Sequence, residues 1–172
     1  MSTVRPATPD DLPEILRLIT ELAVYEREPD AVEGGVPELA AILFPDDGAP
    51  TAFCHVAEVE GDKDGEGGGT KVVGIALWYL TFSTWQVRNG IWLEDLYVEE
   101  AHRGSGLGVA LLRTLADTCV ERGYGRLEWC VLRWNEPSIR FYESVGARPQ
   151  SEWETYRLTG DALTAFAPAA TG

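Results

Sequence analysis

The segment GIWLEDLYVEEAHRGSGLGVALLRTL, residues 90–115, constrains this chain more than any other. An apolar strand-like run through Val98 gives way to apolar residues at helical spacing, Leu111, Leu112, Leu115, Ala116, Cys119 and Val120, which end near Gly123. Between the two patterns, three glycines stand on alternate positions, Gly104, Gly106 and Gly108, directly behind Arg103. A strand feeding through a tight glycine turn into an amphipathic helix is the building unit of mixed α/β proteins. The remainder of the chain has to complete such a sheet.

It does so with alternating signals. A short first strand is expected at residues 3–5. Thr8, Pro9, Asp10 and Asp11 then read as a helix start, with a hydroxyl cap, a proline in the first turn and acids against the helix dipole. Leu12, Ile15, Leu16, Ile19, Leu22 and Ala23 form one buried stripe, and the helix stops before Pro29. A shorter helix is predicted over 37–43. Strands follow at 52–60 and 71–83, joined by the solvated hairpin connector GDKDGEGGG. After the central segment come a strand at 126–132, a helix over 135–145 with Pro137 in its first turn and Gly146 behind it, and a last strand at 152–158. A short helix and a frayed APAATG tail end the chain. With 172 residues, 45% of them hydrophobic, one α/β domain over residues 1–166 is expected, with 167–172 as a flexible tail.

The charge narrows the function classes. A formal net charge of −14 repels nucleic acid and anionic lipid and attracts a cation, although an acidic surface also serves solubility alone. No apolar run approaches the ~20 residues that span a bilayer. The opening MSTVRPATPDD has no signal core, and Cys54, Cys119 and Cys130 show no metal-ligand spacing. The expectation is a cytoplasmic protein with reduced cysteines, no metal, no nucleic acid and no membrane partner.

The glycine loop fits neither common nucleotide motif. Val109 occupies the position where G-x-G-x-x-G needs its third glycine, and no Gly-Lys pair supplies a G-x-x-x-x-G-K-[ST] loop. What remains is a backbone that can approach a ligand closely, helix-start amides carrying partial positive charge, and the permanent cation of Arg103. Those features suit a pyrophosphate. A plain strand-to-helix turn is the alternative.

R-x-x-G-x-G from Arg103 to Gly108, behind WLEDLYV, resembles the acetyl-CoA signature of the GNAT superfamily of N-acetyltransferases. VRPATPDDLPEILRLITELAVYE at the start and WNEPSIRFYESVGA near the end resemble its diamine acetyltransferases, the spermidine/spermine branch with its thialysine-acetylating relatives. The similarity runs from about Val4 to Leu158. It implies a mixed, mostly antiparallel central sheet flanked by helices, acetyl-CoA as cofactor, and a homodimer.

Residue by residue, the resemblance assigns the cofactor to Leu96, Tyr97 and Val98 of the strand, to Arg103, Gly104, Ser105, Gly106, Leu107 and Gly108 of the loop, and to Asn135 and Ser138. Read without it, the last two are equally good helix caps. Glu94 matches the residue that accepts the amine proton through water, and Asp95 one that holds the cationic end of a polyamine. Strict strand alternation sets these neighbours on opposite faces; a bulge would relax that. Tyr142 matches the general acid, a phenol of pKa about 10 able to protonate a thiolate. Ile139, Tyr142 and Val145 share a helix face, so an ordinary packed tyrosine is the other reading. Tyr25, Glu26 and Trp85 match positions lining the amine pocket, and acids with aromatics suit a cation. Arg88, close in sequence to Trp85, points instead toward a substrate carboxylate such as that of thialysine or lysine.

The expectation is therefore an acetyl-CoA-dependent N-acetyltransferase acting on a primary amine of a small cationic substrate, by direct transfer in a ternary complex. An aminoglycoside or protein N-terminus as acceptor, or a CoA-binding regulatory module without turnover, stay open. His55 beside Cys54 is no nucleophile pair, because alternation sets the two on opposite faces. His102 beside Arg103 is left between phosphate contact and surface turn.

Overall fold

Strand β1 (Ser2–Pro6) begins a five-stranded sheet in the order β1-β2-β3-β4-β5, completed by β2 (Phe53–Glu60), β3 (Thr70–Ser83), β4 (Arg88–Val98) and β5 (Leu127–Trp129). The first three pairings are antiparallel and β4–β5 is parallel, giving the expected mixed, mostly antiparallel sheet. The structure is a computed structural model, and it describes residues 2–61 and 69–167. The connector between β2 and β3 falls largely outside the described residues, as does most of the tail. The Gly61 amide still bonds the Gly69 carbonyl at 2.8 Å, so the two strands face each other to their ends.

Helix α1 (Leu12–Tyr25) follows a 3-10 turn at Pro9–Asp11. Asp11 organises this entry: its Oδ2 accepts from the Thr8 amide at 2.7 Å and the Thr8 hydroxyl at 2.9 Å. Arg5 of β1 grips the same carboxylate at 2.7 and 2.8 Å and also reaches Glu58 of β2. Held this way, Asp11 has its pKa lowered to about 2, first through the Arg5 contact. Leu12, Ile15 and Leu18 of α1, with Leu43 of α2 (Val36–Leu43), cover one sheet face, packing on Val56, Ile75, Leu77 and Tyr97. Each fully buried Leu or Ile contributes about 1.5–3 kcal/mol. Leu18 replaces Leu16 in the predicted stripe.

Helix α3 (Leu107–Arg122) covers the other face through Leu111, Leu112, Leu115 and Cys119. Val120, expected in that stripe, is 81% exposed, and Ala116 is exposed too. Gly123, with φ of 66°, ends the helix as expected.

Residues 1–130 form one compact unit and 131–172 a second. The second contains α4 (Glu136–Ser144) and α5 (Gly160–Phe166). Gly146, at φ 92°, lies just beyond α4, as predicted. The strand expected at 152–158 is absent: these residues have no regular structure. Their β-like composition is insufficient, since a strand needs a neighbour for its amides and carbonyls, and the described residues of this unit contain no strand. No described helix is long and apolar enough to cross a membrane.

Candidate active site

The acidic pair in β4 sits on a break in the sheet register. Leu77 of β3 pairs with Asp95, and the next residue, Trp78, pairs with Leu93. Glu94 is thus the extra residue of a β-bulge, the irregularity that two adjacent acids called for. Its effect on side-chain direction is specific. Asp95 shares the α1 face of the sheet with Leu77 and, two residues on, with Tyr97. Glu94 is exposed and its carboxylate accepts from the Trp92 indole at 2.9 Å. Trp92 pairs with Tyr79, two residues along β3 from Leu77, so it lies on that same face. Both acids therefore reach one side of the sheet, which unbroken alternation forbids.

Asp95 is partly buried there, and its pKa is raised to about 6. Burial is the largest cause, followed by repulsion from Glu94 and Glu26. Glu26 follows the last turn of α1, and burial pushes its pKa up as well. Three carboxyl groups from two elements thus share one field.

The same strand opens beside this cluster. β5 pairs with β4 only at Ile91, Trp92 and Leu93. From Asp95 to Val98 the strand is paired with β3 alone within this unit, which leaves the other backbone edge of Leu96–Val98 for an extended ligand. The loop follows after a 3-10 turn at Glu100–His102. Gly104 and Gly106 have φ of 76° and 90°, left-handed values that disfavour a Cβ, and no neighbouring heavy atom approaches within 4 Å of where one would stand. Gly106 caps α3, whose first amides have no acceptor inside the helix. An extended edge leading to a glycine-lined, amide-rich helix start fits the pantetheine arm and diphosphate of CoA.

Arg103 anchors this loop. Its Nε donates to the Val98 carbonyl at 3.0 Å, and its guanidinium carbon stands 4.8 Å from the Tyr25 ring centroid and 5.4 Å from that of Tyr97. Ser105 donates its hydroxyl to the His102 carbonyl at 2.6 Å, tightening the turn. His102 itself lies 3.6 Å from Glu99.

Other predicted residues lie elsewhere. Trp85 is in the β3–β4 turn, 86% exposed, and Arg88 is where β4 begins, paired with Ser83. Asp95 stands six β3 positions away at Leu77, roughly 20 Å along the strands at ~3.3 Å per residue. Arg88 therefore stands apart from the acidic cluster. In the second unit, Asn135 caps α4, its Oδ1 accepting from the Ser138 amide at 3.4 Å. Tyr142 is half-buried, its ring 5.2 Å from that of Phe141. His55 accepts from the Trp78 indole at 3.1 Å, and burial pushes the Cys54 thiol up to about 12.

Two features escaped the sequence. Trp92 holds Glu94, and an ion-pair stripe on α1 ties Tyr97 in place through Glu21. The i, i+3 and i, i+4 spacing of Glu14, Arg17 and Glu21 was the available signal for the second.

The Acetyltransferase (GNAT) family matches residues 16–147. The thialysine N-epsilon-acetyltransferase of Bos taurus is 37% identical over 167 residues, covering 95% of this chain and 96% of the relative. A spermidine/spermine N(1)-acetyltransferase-like protein of Homo sapiens is 35% identical over 163 residues, 93% of this chain but 23% of its own length. Among solved structures, an integron cassette protein from V. cholerae superposes with a TM-score of 0.75 at 24% identity, covering 98% of both chains. The chain therefore belongs to the GNAT acetyltransferases, on the branch that resembles diamine and thialysine acetyltransferases, and is an amine N-acetyltransferase.

Proposed function

We propose that this enzyme transfers the acetyl group of acetyl-CoA to a primary amine of a small cationic substrate, of the polyamine or thialysine/lysine class, by direct attack in a ternary complex. The observation that carries the reading is the bulge at Glu94, which collects Glu94, Asp95 and Glu26 beside the open edge of the strand that ends in the glycine loop. Acetyl-CoA supplies an activated acetyl thioester. The chain's own residues then have three tasks. The amides of Gly104–Gly108 and the Arg103 cation hold the diphosphate, while the backbone of Leu96–Val98 aligns the arm and presents donors toward the carbonyl. Asp95 and Glu26 attract the ammonium groups of the substrate. Glu94, exposed at the bulge, takes a proton from the amine through water, which an ammonium of pKa about 10.4 must lose before it attacks. Tyr142 donates a proton at the sulfur position, and Asn135 and Ser138 contribute to the cofactor site; these roles rest on the resemblance, as do those of Tyr25 and Trp85 at the amine.

The reading includes a homodimer, a cytoplasmic setting consistent with three free thiols, and one catalytic domain over residues 1–166 with 167–172 as a tail. Acetyl-CoA-dependent thiol release tests it, measured against spermidine, spermine, putrescine, thialysine, lysine and an aminoglycoside between about pH 7 and 9.5, where amines begin to deprotonate. Saturable turnover with a polyamine or with thialysine is expected. Preference for the aminoglycoside would reassign the acceptor. Silence on every amine with acetyl-CoA still bound would leave a binding module.

A further inference from the structure

Arg17, Glu21 and Tyr25 follow one another at intervals of four along α1, so they form a single stripe on its surface. Each reaches toward the end of β4 or the loop behind it. Arg17 bonds Glu21 at 2.6 Å and Glu99, the residue just after β4, at 2.7 Å. Glu99 also pairs with Lys71 at 3.0 Å. Glu21 accepts from the Tyr97 hydroxyl at 3.3 Å, and Tyr25 lies with Tyr97 against the Arg103 guanidinium. The stripe thus meets the loop's cation at one end and its point of departure from the sheet at the other.

The chemistry of guanidinium makes this arrangement useful for an anion. Aromatic rings engage its flat faces, whereas phosphate oxygens pair with N–H groups in its plane. Val98 takes the Nε–H and the Tyr97 hydroxyl also hydrogen-bonds the guanidinium, so the N–H groups left over are the part suited to phosphate. A free arginine loses rotamer freedom when it is fixed, and a guanidinium already held by two tyrosines and the Val98 carbonyl has less to lose.

We propose that Tyr25 and Tyr97, fixed by the Arg17–Glu21 pair of α1, are positioning residues that set Arg103 for the diphosphate of the cofactor before it binds. The proposal rests on the reading that the glycine loop holds that diphosphate. It gives α1 a second duty besides covering the sheet.

Calorimetric titration with CoA, and with pantetheine, which lacks the diphosphate, separates the two ideas. Arg103→Ala is expected to weaken CoA about 10- to 100-fold, as befits lost charge-assisted hydrogen bonds. Tyr25→Leu should weaken CoA about three- to tenfold, the range of a cation–π contact, with pantetheine unaffected. Tyr25→Phe, which keeps the ring, should restore wild-type affinity. Adding Tyr25→Leu to Arg103→Ala should cost nothing further, because the tyrosine acts through the arginine. Glu21→Gln, which leaves the core intact, should weaken CoA about twofold through the Tyr97 anchor; it carries the test if Tyr25→Leu unfolds. Wild-type CoA affinity in Tyr25→Leu or, failing that, in Glu21→Gln, with Arg103→Ala impaired, would overturn the positioning role alone. Unchanged affinity in Arg103→Ala would overturn the diphosphate reading and the proposal together.

Discussion

From Ile91 to Leu93, β4 runs between β3 and β5; from Asp95 to Val98 it pairs with β3 only. The first stretch is closed on both edges, and Ile91 and Leu93 are at most 1% exposed. The second mixes a titratable carboxyl, an open edge and the exit into the glycine loop. One inserted residue, Glu94, separates them. A bulge is a small local device, yet here it brings both acids to one face of the sheet, just beyond the stretch matched with Leu127–Trp129. Burial is concentrated before the insertion, and the proposed chemistry lies at it and after it.

The sharpest way to break that division is a matched pair of variants. Glu94→Gln keeps shape and removes the proposed base, so kcat should fall about 10²- to 10⁴-fold with a melting temperature close to wild type. Ile91→Ala, three residues away, should do the reverse, costing about 2–5 kcal/mol of stability with activity retained in the folded fraction. Calorimetric melting and steady-state kinetics on both proteins measure the two effects. A large loss of stability in Glu94→Gln, or of turnover per folded molecule in Ile91→Ala, would erase the boundary at the bulge.

Asp95 tests whether the open half is built at the expense of stability. Its pKa is raised from 3.8 to about 6, so the folded state binds this proton more tightly than the unfolded state. The penalty for the carboxylate is absent below the unfolded value, grows as pH rises from 3.8 toward 6, and is complete above it. Asp95→Asn should therefore raise stability at neutral pH by about 1–3 kcal/mol, with the gain fading in acid. The same substitution should raise KM for a cationic amine about tenfold, since one attractive charge is lost. For the wild type, amine affinity should decline as pH falls through about 6. Asp95→Asn melting below wild type at neutral pH would mean that the carboxylate is stabilised by contacts rather than strained by burial.

How much of this was legible in the sequence follows the range of each interaction. The helix stops at Gly123 and Gly146, the cap at Asn135 and the glycine loop are local, and their residues declare them. The adjacency of Glu94 and Asp95 showed that alternation needed relief, but not where each acid would turn, because that depends on the register of β3. Tyr25 illustrates the limit. Its place at the end of α1 was readable, whereas its contact with Arg103 joins residues 78 positions apart. Arg88 and Trp85, near Asp95 in sequence, lie toward the other end of the hairpin, since strands extend what helices would fold back. The missing strand at 152–158 has the same origin: strand formation is decided by a neighbour, and composition is silent about neighbours.

Trp92 offers the finest adjustment of the comparison, because it belongs to the closed half by pairing and to the open half by its hydrogen bond. Its backbone is matched to Tyr79 and Glu128, and its indole holds Glu94 at 2.9 Å. Trp92→Phe keeps an aromatic surface against Tyr79, whose ring lies 6.4 Å away, and removes only the donor. The bond is exposed and single, worth about 0.5–1.5 kcal/mol, so stability should shift little. If the indole orients Glu94 toward the amine, kcat should drop about threefold to tenfold while the dissociation constant for CoA stays the same. A rise in KM for the amine with kcat intact would instead place Trp92 in the substrate pocket, and would move the boundary between the two halves from Glu94 to the tryptophan before it.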